Sequence, residues 1–149
     1  MIALAPHPID PAGLLADFTR AAGGAGGIVS FSGLVRAEGG VTELWLDHHE
    51  RLTPAAVEKL AAAALGRFAL VDLAIVHRVG AVAAGEPVVF VAAAAAHRRA
   101  AFDAVDFAMD QLKTAVPLWK CERRGPDRTW VEARAQDHAD AARWERMDG

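Results

Sequence analysis

The sequence predicts an α+β domain with a mixed or antiparallel sheet. Segments of strand-like and helix-like composition alternate along all 149 residues, which interleaves helices with strands. Two valine-rich segments, residues 71–79 and 87–95, are separated by a short stretch that contains Gly80 and Gly85. This arrangement is typical of two antiparallel strands joined through a loop. No internal repeat or linker divides the chain, so we expect one domain over residues 1–149.

The first half of the chain carries start signals for two helices. Asp10 and Thr53 are each followed by proline, and a cap residue before proline is the preferred order at a helix N-terminus. The first helix ends in the glycine-rich residues 23–27. We interpret these glycines as a flexible connection, because no Gly-Lys-Ser/Thr motif makes them a phosphate loop. Strands are predicted at residues 28–35 and 41–49 from their β-branched, aromatic and alternating composition.

The second half is organised around a long helix that ends at a proline. Apolar residues recur there at three- and four-residue steps: Phe102, Val105, Met109, Leu112 and Val116. We expect the helix to run from about residue 97 to 116, since Pro117 cannot continue it. A strand at residues 118–122, a charged mobile loop at 123–128 and a short strand at 129–133 follow. Asp137 is predicted to cap a last helix that runs to residue 144.

Composition excludes several classes of function. The net charge of −3 argues against a general binder of nucleic acid or acidic membranes, which needs a broad basic face. The only cysteine, Cys121, excludes an internal disulfide and a CxxC metal site, in keeping with a reducing compartment. Residues 1–20 contain no secretory signal, and the most apolar stretch, residues 87–96, is too short to span a bilayer. We therefore expect a soluble, cytoplasmic protein.

Outside the segment around Pro117, the residues that could act in catalysis or bind a metal do not form a recognisable motif. The six histidines lack ligand spacing, and the adjacent His48 and His49 would point to opposite faces of a strand. We therefore expect no metal and no cofactor. Cys121 is more simply explained as a small buried residue than as a nucleophile, although an acyl-transfer enzyme that depends on Cys121 is an alternative. Ser32 does not lie in a nucleophile elbow.

The corner at Pro117 is the region with the clearest chemical pattern. Lys113 lies in the last turn of the long helix and Lys120 lies just after the corner. Two ammonium groups that converge at a helix–strand junction can hold an anion or act on one. Two solvated surface lysines would have the same spacing, and that alternative stays open on the lysines alone.

The start of the same helix also indicates anion binding. His97, Arg98 and Arg99 lie there, where backbone N–H groups already favour an anion, although the arginines can instead pair with nearby aspartates. His97 and Lys113 would be about 24 Å apart at 1.5 Å per residue. The two ends therefore serve different sites, or one site is shared across a two-fold dimer with antiparallel helices.

Six motifs follow one another in order between about residues 25 and 144. They are Phe-Ser-Gly-Leu-Val-Arg (31–36), Leu-Asp-His (46–48), Val-His-Arg-Val-Gly (76–80), Ala-His-Arg (96–98), Met-Asp-Gln-Leu-Lys-Thr-Ala-Val-Pro-Leu-Trp-Lys (109–120) and Trp-Val-Glu-Ala-Arg (130–134). Taken together, they resemble the large, catalytic subunit of the molybdopterin synthase family. Each motif alone is unspecific, whereas six in order are a specific signature. The resemblance does not cover residues 1–25.

The resemblance implies a fold of the α/β-hammerhead type and a homodimer of large subunits within a heterotetramer. Each large subunit would bind a small ubiquitin-like sulfur-carrier subunit whose Gly-Gly C-terminus ends in a thiocarboxylate. Sulfur would pass from that tail to cyclic pyranopterin monophosphate and form the dithiolene of molybdopterin, in molybdenum cofactor biosynthesis. The alternative is a non-catalytic module that binds a ubiquitin-like tail or a phosphometabolite.

The resemblance also implies the site residues. The pocket would contain five residues of one chain: Phe31, Arg36, Met109, Lys113 and Lys120. Three more would come from the neighbouring large subunit: His97, Arg98 and Arg134. Lys113 would be the general acid/base and Lys120 an electrostatic stabiliser. The chain departs from the family pattern at Leu34, where a basic residue is frequent, at His49, where an aromatic is usual, and at Pro87 and Arg99.

Overall fold

The computed structural model describes residues 1–148, which form four helices, eight strands and one 3₁₀ turn at Glu38–Gly40. The elements in chain order are β1 (Ile2–Ala5), α1 (Pro11–Ala21), β2 (Gly27–Leu34), β3 (Glu43–His48), α2 (Leu52–Arg67), β4 (Leu70–Arg78), β5 (Gly80–Ala83), β6 (Pro87–Ala95), α3 (Arg98–Thr114), β7 (Leu118–Arg124), β8 (Asp127–Val131) and α4 (Ala135–Met147). None of the helices within residues 1–148 is long and apolar enough to cross a membrane.

The strands form two four-stranded sheets. The first has the order β1-β4-β6-β2, with β1 parallel to β4 and the other neighbours antiparallel. The second has the order β5-β3-β7-β8 and is antiparallel throughout. The predicted α+β class with mixed and antiparallel sheets is therefore confirmed.

Helices cover both faces of the first sheet. α2, α3 and α4 pack on one face, and α1 packs on the other. β4 and β6 are therefore apolar along most of their length, as strands buried on both faces are. Ala93 and Ala95 of β6 share a core cluster with Ala101, Ala104 and Ala108 of α3, all of them 0% exposed. Because these side chains are single methyl groups, α3 lies close against the sheet.

Two connections differ from the sequence prediction. β4 and β6 are antiparallel neighbours as predicted, but the chain between them forms β5, which joins the second sheet. The charged residues 123–128, predicted as a mobile loop, are instead the end of a hairpin. β7 continues to Arg124 and β8 begins at Asp127, and these two residues pair. Gly125, at φ +58°, takes the left-handed conformation that such a tight turn requires.

The N-terminal part contains a strand that the sequence did not signal and a tighter glycine segment than predicted. β1 pairs with β4 from Ile2↔Ile75 to Ala5↔Arg78. A Cβ on Gly26 would lie 2.2 Å from the carbonyl oxygen of Ala96. The glycines therefore allow a close backbone passage beside the start of α3 and do not act only as a flexible connection.

The corner at Pro117 is tied to the start of α2. Thr53 is fully buried. Its hydroxyl donates to the carbonyl of Pro117 at 2.8 Å and accepts from the backbone N–H of His49 at 2.8 Å. The Nδ1 of His49 accepts from the backbone N–H groups of Arg51 and Leu52 at 3.2 and 3.1 Å. Arg51 rather than Thr53 is the N-cap residue of α2. The ring of His49 accepts two backbone N–H groups at this helix start, which gives this departure from the family pattern a structural role.

Candidate active site

Two clefts meet beside the C-terminal half of α3. The α3 cleft, about 670 Å³, runs along α3 between β2 and the start of α4. The sheet cleft, about 780 Å³, lies between β2, β7 and the segment that leads into α4. Five residues line both clefts, and we call them the junction: Phe31, Met109, Lys113, Arg134 and Asp137. One set of side chains therefore faces both cavities.

Most of the site residues implied by the resemblance lie in these clefts. Four of them are junction residues: Phe31, Met109, Lys113 and Arg134. Arg36 and Lys120 line the sheet cleft, and Arg98 lines the α3 cleft. His97 lines neither cleft. It is exposed and precedes α3 as its N-cap residue, without a side-chain hydrogen bond to the helix.

Arg98 and Arg134 line a cleft that contains Lys113 of the same chain. The resemblance assigns both residues to the site of a neighbouring subunit, and that assignment stays a prediction. The α3 cleft follows the helix, so residues near its two ends contribute to one elongated cavity. Of the three residues assigned to the neighbour, only His97 lies outside the clefts of its own chain.

Lys113 contacts a carboxylate at the junction. Its Nζ lies 3.3 Å from Oδ1 of Asp137, while Oδ2 of Asp137 accepts the backbone N–H of Arg134 at 2.9 Å. The Arg134 guanidinium is 3.6 Å from the same oxygen. Burial would raise the pKa of Asp137, but the hydrogen bonds from the Arg134 backbone and from Lys113 outweigh it and hold that pKa below its ordinary value. The carboxylate is therefore ionised at neutral pH.

Asp137 was missed as a site residue by the sequence. It was predicted to cap the last helix, whereas α4 begins at Ala135 with Arg134 as the N-cap residue. Asp137 is the third residue of α4, where an acidic side chain returns to the backbone N–H of the cap residue. Its place in the helix start brings its carboxylate to the junction. The one sequence feature that could have indicated a site role for Asp137 is its position three residues after Arg134, which the resemblance places in the site.

Lys120 lies half-buried in the wall of the sheet cleft. Burial lowers its pKa below the ordinary lysine value, and the charges of Lys113 and Arg134 lower it further, against an opposing contribution from Asp137. The charge of Lys113 therefore acts on Lys120 across the Pro117 corner. Three cations and one carboxylate give this region a net positive charge.

His77 is a second residue of the sheet cleft that was not predicted as part of the site. It lies in β4 within the Val-His-Arg-Val-Gly motif and is 6% exposed. Its Nδ1 is 2.7 Å from the carbonyl of Arg78. Burial lowers its pKa to about 4, and the nearby charge of Lys120 acts in the same direction. His77 is therefore a neutral imidazole at physiological pH.

The outer part of the sheet cleft is less enclosed. The Arg36 guanidinium is 3.4 Å from Glu38, and both side chains are exposed. Arg124 donates from Nε to the carbonyl of Gly39 at 2.8 Å and pairs with Glu122 at 2.7 Å. Leu34, the departure from the family's frequent basic residue, lines the same cleft and is 57% exposed. The chain therefore offers an apolar surface there.

The helix that carries Asp137 is anchored to α3 by a buried carboxylate. Asp110 accepts from Nε1 of Trp144 at 2.7 Å and from Arg143 at 3.0 Å. Trp144 also packs edge-to-face on Phe107, with ring centroids 5.5 Å apart. These contacts fix α4 on α3, so Lys113 and Asp137 lie on two elements that are packed together.

Cys121 lies away from the clefts. It is buried and lines neither of them. Its strand neighbours in register are Trp45 and Trp130, on the outer side of the second sheet. Within residues 1–148, no group of three or more histidine, cysteine or acidic side chains is placed to hold a metal ion. The position of Cys121 argues against the acyl-transfer alternative.

The fold and the junction define an α+β protein with two clefts that meet at lysine and arginine side chains, with aspartates also lining the α3 cleft. The family profile described as "MoaE protein" matches residues 4–115. The molybdopterin synthase catalytic subunit of Caulobacter vibrioides is 44% identical over 146 residues, which cover 97% of this chain and 97% of that relative. The chain belongs to the MoaE protein family.

Solved structures agree with this assignment. The molybdopterin biosynthesis MoaE protein from Burkholderia ambifaria superimposes with a TM-score of 0.83 at 37% identity, over 97% of each chain. A protein–protein complex of subunits 1 and 2 of the molybdopterin-converting factor from Helicobacter pylori contains a chain with the same fold. That chain has a TM-score of 0.78 at 22% identity, over 89% of this chain and 91% of its own length.

Proposed function

We propose that this chain is the catalytic subunit of a molybdopterin synthase. It transfers sulfur from the thiocarboxylated Gly-Gly C-terminus of a small ubiquitin-like subunit to cyclic pyranopterin monophosphate, and so forms the dithiolene of molybdopterin. The observation that carries the proposal is the junction, where two clefts meet at Lys113 with Arg134 beside it. A sulfur-transfer enzyme needs such a meeting point, because its donor and its acceptor must arrive from different directions.

The sheet cleft fits the tail of the small subunit. Its walls include apolar side chains, among them Leu34, Val88, Leu112 and Leu118. Lys120 and Lys113 lie in the same cleft and attract the terminal thiocarboxylate. A Gly-Gly tail has no side chains beyond its backbone, so it can pass through a narrow cleft in an extended conformation. We therefore assign the sulfur donor to the sheet cleft.

The α3 cleft fits the phosphate-bearing acceptor. Arg134 lies at the junction end of this cleft, beside Asp137 and Lys113, and its guanidinium fork suits bidentate contacts to phosphate. Arg98 starts α3 about 22 Å from Lys113, so we propose that the Arg98 of a second copy completes the phosphate site. Two anions 4 Å apart repel each other by about 4 kcal/mol at an effective dielectric constant of 20. The cations around the junction offset that repulsion. Arg36 and His97 belong to the same proposed set of substrate-binding residues, with Phe31 and Met109 as the apolar walls between donor and acceptor.

Lys113 is the proposed general acid/base. As the thiocarboxylate sulfur adds to a carbon of the pyranopterin side chain, the oxygen on that carbon leaves and takes a proton from the Lys113 ammonium. Water then hydrolyses the bond between this sulfur and the acyl carbon of the tail, which releases the small subunit as a carboxylate. Two such rounds supply the two sulfurs of the dithiolene. Lys113 lies in the last turn of α3 and contacts Asp137, so its ammonium group is held beside the C-terminal end of the helix and a carboxylate. Lys120 is the proposed electrostatic stabiliser of the anions that gather in the sheet cleft.

The proposed assembly is a homodimer of large subunits, each with one small subunit, in the cytoplasm. His97 is exposed and lines neither cleft of its own chain, which supports its contribution to the site of a second copy. The Helicobacter pylori neighbour is a complex of two different subunits, which supports a small partner subunit for this chain as well.

Reconstitution tests the function. Purified protein is mixed with the thiocarboxylated small subunit and cyclic pyranopterin monophosphate, and dithiolene product is measured. Lys113→Ala should lower kcat by about a hundredfold or more, the usual contribution of a proton-transfer group. Lys59→Ala removes an exposed lysine of α2 that lines neither cleft and is the matched control. Normal turnover by Lys113→Ala would refute the role assigned to that lysine. Intact partner binding without product from the wild-type protein would instead favour the non-catalytic binding module.

Mixed dimers test the contribution of a second copy. Inactive His97→Ala and Lys113→Ala proteins are mixed under conditions where subunit exchange is demonstrated by mass. If His97 serves the site of its partner, hybrid dimers regain one intact site and some product forms. Absence of product after proven exchange would place His97 outside the shared site.

A further inference from the structure

Asp137 is the one junction residue that neither the sequence nor the family resemblance assigned. It is 8% exposed and lines both clefts together with Lys113. One carboxylate oxygen faces the Lys113 ammonium, and the other accepts the backbone N–H of Arg134. Its side chain therefore lies between the helix start of α4 and the lysine proposed to transfer the proton.

The two partners of Asp137 differ in how firmly they are held. The Arg134 N–H belongs to the backbone at the start of α4, and α4 is fixed on α3 through Asp110. Lys113 carries its ammonium on a flexible four-carbon chain and is 38% exposed at its side chain. Because the carboxylate is anchored and the ammonium is mobile, Asp137 determines where the ammonium lies.

Electrostatics argue against a simple binding role for Asp137. The proposed substrates are both anionic, and a carboxylate among Lys113, Lys120 and Arg134 weakens the attraction that those cations exert on them. A site selected for anion affinity alone would be better without this charge. The presence of the carboxylate is explained if orientation of Lys113 matters more for the reaction than substrate affinity.

We propose that Asp137 is a positioning residue for sulfur transfer: its carboxylate, anchored by the Arg134 backbone, holds the Lys113 ammonium at the meeting point of the two clefts. This inference rests on the proposed function. The incoming thiocarboxylate then meets an ammonium that is already oriented. Asp137 itself acts through Lys113 and does not contact the reacting atoms.

The test is Asp137→Asn in the reconstituted complex. Asparagine keeps an oxygen that can accept the Arg134 N–H, so the helix start is retained, but it removes the charge that holds Lys113. We expect kcat to fall by about tenfold or more, while KM for the thiocarboxylated partner stays equal or decreases, because a repelling charge has gone. Glu145→Gln, at an exposed position of the same helix, changes the charge of α4 equally and should keep wild-type kcat.

Asp137→Glu is the second variant, needed in case asparagine weakens folding. Glutamate is favoured at this helix position and keeps the charge, but its longer side chain moves the carboxylate. A wild-type Tm with lowered kcat is the result expected from positioning. A wild-type kcat in either folded variant, or a raised KM with unchanged kcat, would overturn the inference. Absence of product from the wild-type protein would instead overturn the proposed function and, with it, the role of Asp137.

Discussion

Replacing Thr53 with valine removes one hydroxyl from the Pro117 corner and keeps the shape of the side chain. That hydroxyl donates to the Pro117 carbonyl and accepts the His49 N–H, each at 2.8 Å, from a side chain that is fully buried. Both backbone groups would lose this partner. An unsatisfied buried polar group costs about 1–3 kcal/mol. Since the two groups are only partly buried, we take the lower end for each and expect a loss of about 2 kcal/mol.

Thermal and urea unfolding measure this loss. A change of 1 kcal/mol shifts Tm by about 2–4 °C in a protein of this size, so Thr53→Val should lower Tm by about 4–8 °C. Thr53→Ser is the matched control, because serine keeps the hydroxyl and loses only a methyl group. Product formation should fall as well, since Pro117 lies between Lys113 and Lys120 in the chain. A Thr53→Val protein within about 0.5 kcal/mol of wild type, an ordinary surface effect, would refute the proposed link between α2 and the corner.

Three further predictions concern the wall of the sheet cleft and the anchor of α4. The folded-state pKa of His77 is about 4 against about 6.5 when unfolded, so the unfolded chain binds more protons between these values. The contribution of His77 to stability should be constant above about pH 7.5 and fall by about 3 kcal/mol as the pH drops to 4, and urea titrations of His77→Gln should show a weaker dependence of stability on pH in this range. The pKa of Lys120 is lowered on folding, so stability should rise as the pH increases through its folded-state pKa towards the ordinary lysine value. Lys120→Met should remove that rise and lower kcat. Trp144→Ala should cost about 3–5 kcal/mol in urea unfolding, because it removes a buried indole and leaves Asp110 with one donor fewer; a loss below 1 kcal/mol would contradict the anchoring of α4.

Local signals predicted most of the helices and strands. The proline after Asp10, the three- and four-residue spacing before Pro117 and the valine-rich composition of residues 87–95 each depend on neighbours in the chain, and each predicted element is present. Strand pairing between residues far apart in the chain could not be predicted from the sequence. β5 lies in the connection between β4 and β6 but pairs with the edge of β3. The paired residues are far apart in the chain, 40 residues for Glu43↔Ala83 and 34 for Leu46↔Gly80. No local pattern encodes such an edge.

The sequence predicted cleft-lining residues where a motif contained them. Phe31, Met109, Lys113 and Arg134 lie in motifs that carry the resemblance, and all four line both clefts. Asp137 follows the last of those motifs and looked like an ordinary helix cap. Its importance appears only when α4 packs on α3 and brings residues 24 positions apart into contact. The assignment of His97, Arg98 and Arg134 to a neighbouring subunit stays a prediction, since helix length fixes a distance but not which subunit completes a cleft.

The alanines between α3 and β6 have a consequence for how this protein can be altered. Ala104 and Ala108 are fully buried in a core cluster that includes valines and alanines of β6, so a larger side chain at either position would displace the helix or the sheet. α3 also carries Met109 and Lys113, so any outward displacement of the helix moves the proposed acid away from a tail held by the second sheet. Substitutions that add one or two carbon atoms to these buried alanines should therefore change the rate of sulfur transfer, although no substrate contacts these positions. A search for variants with altered rates should begin in this layer as well as in the clefts.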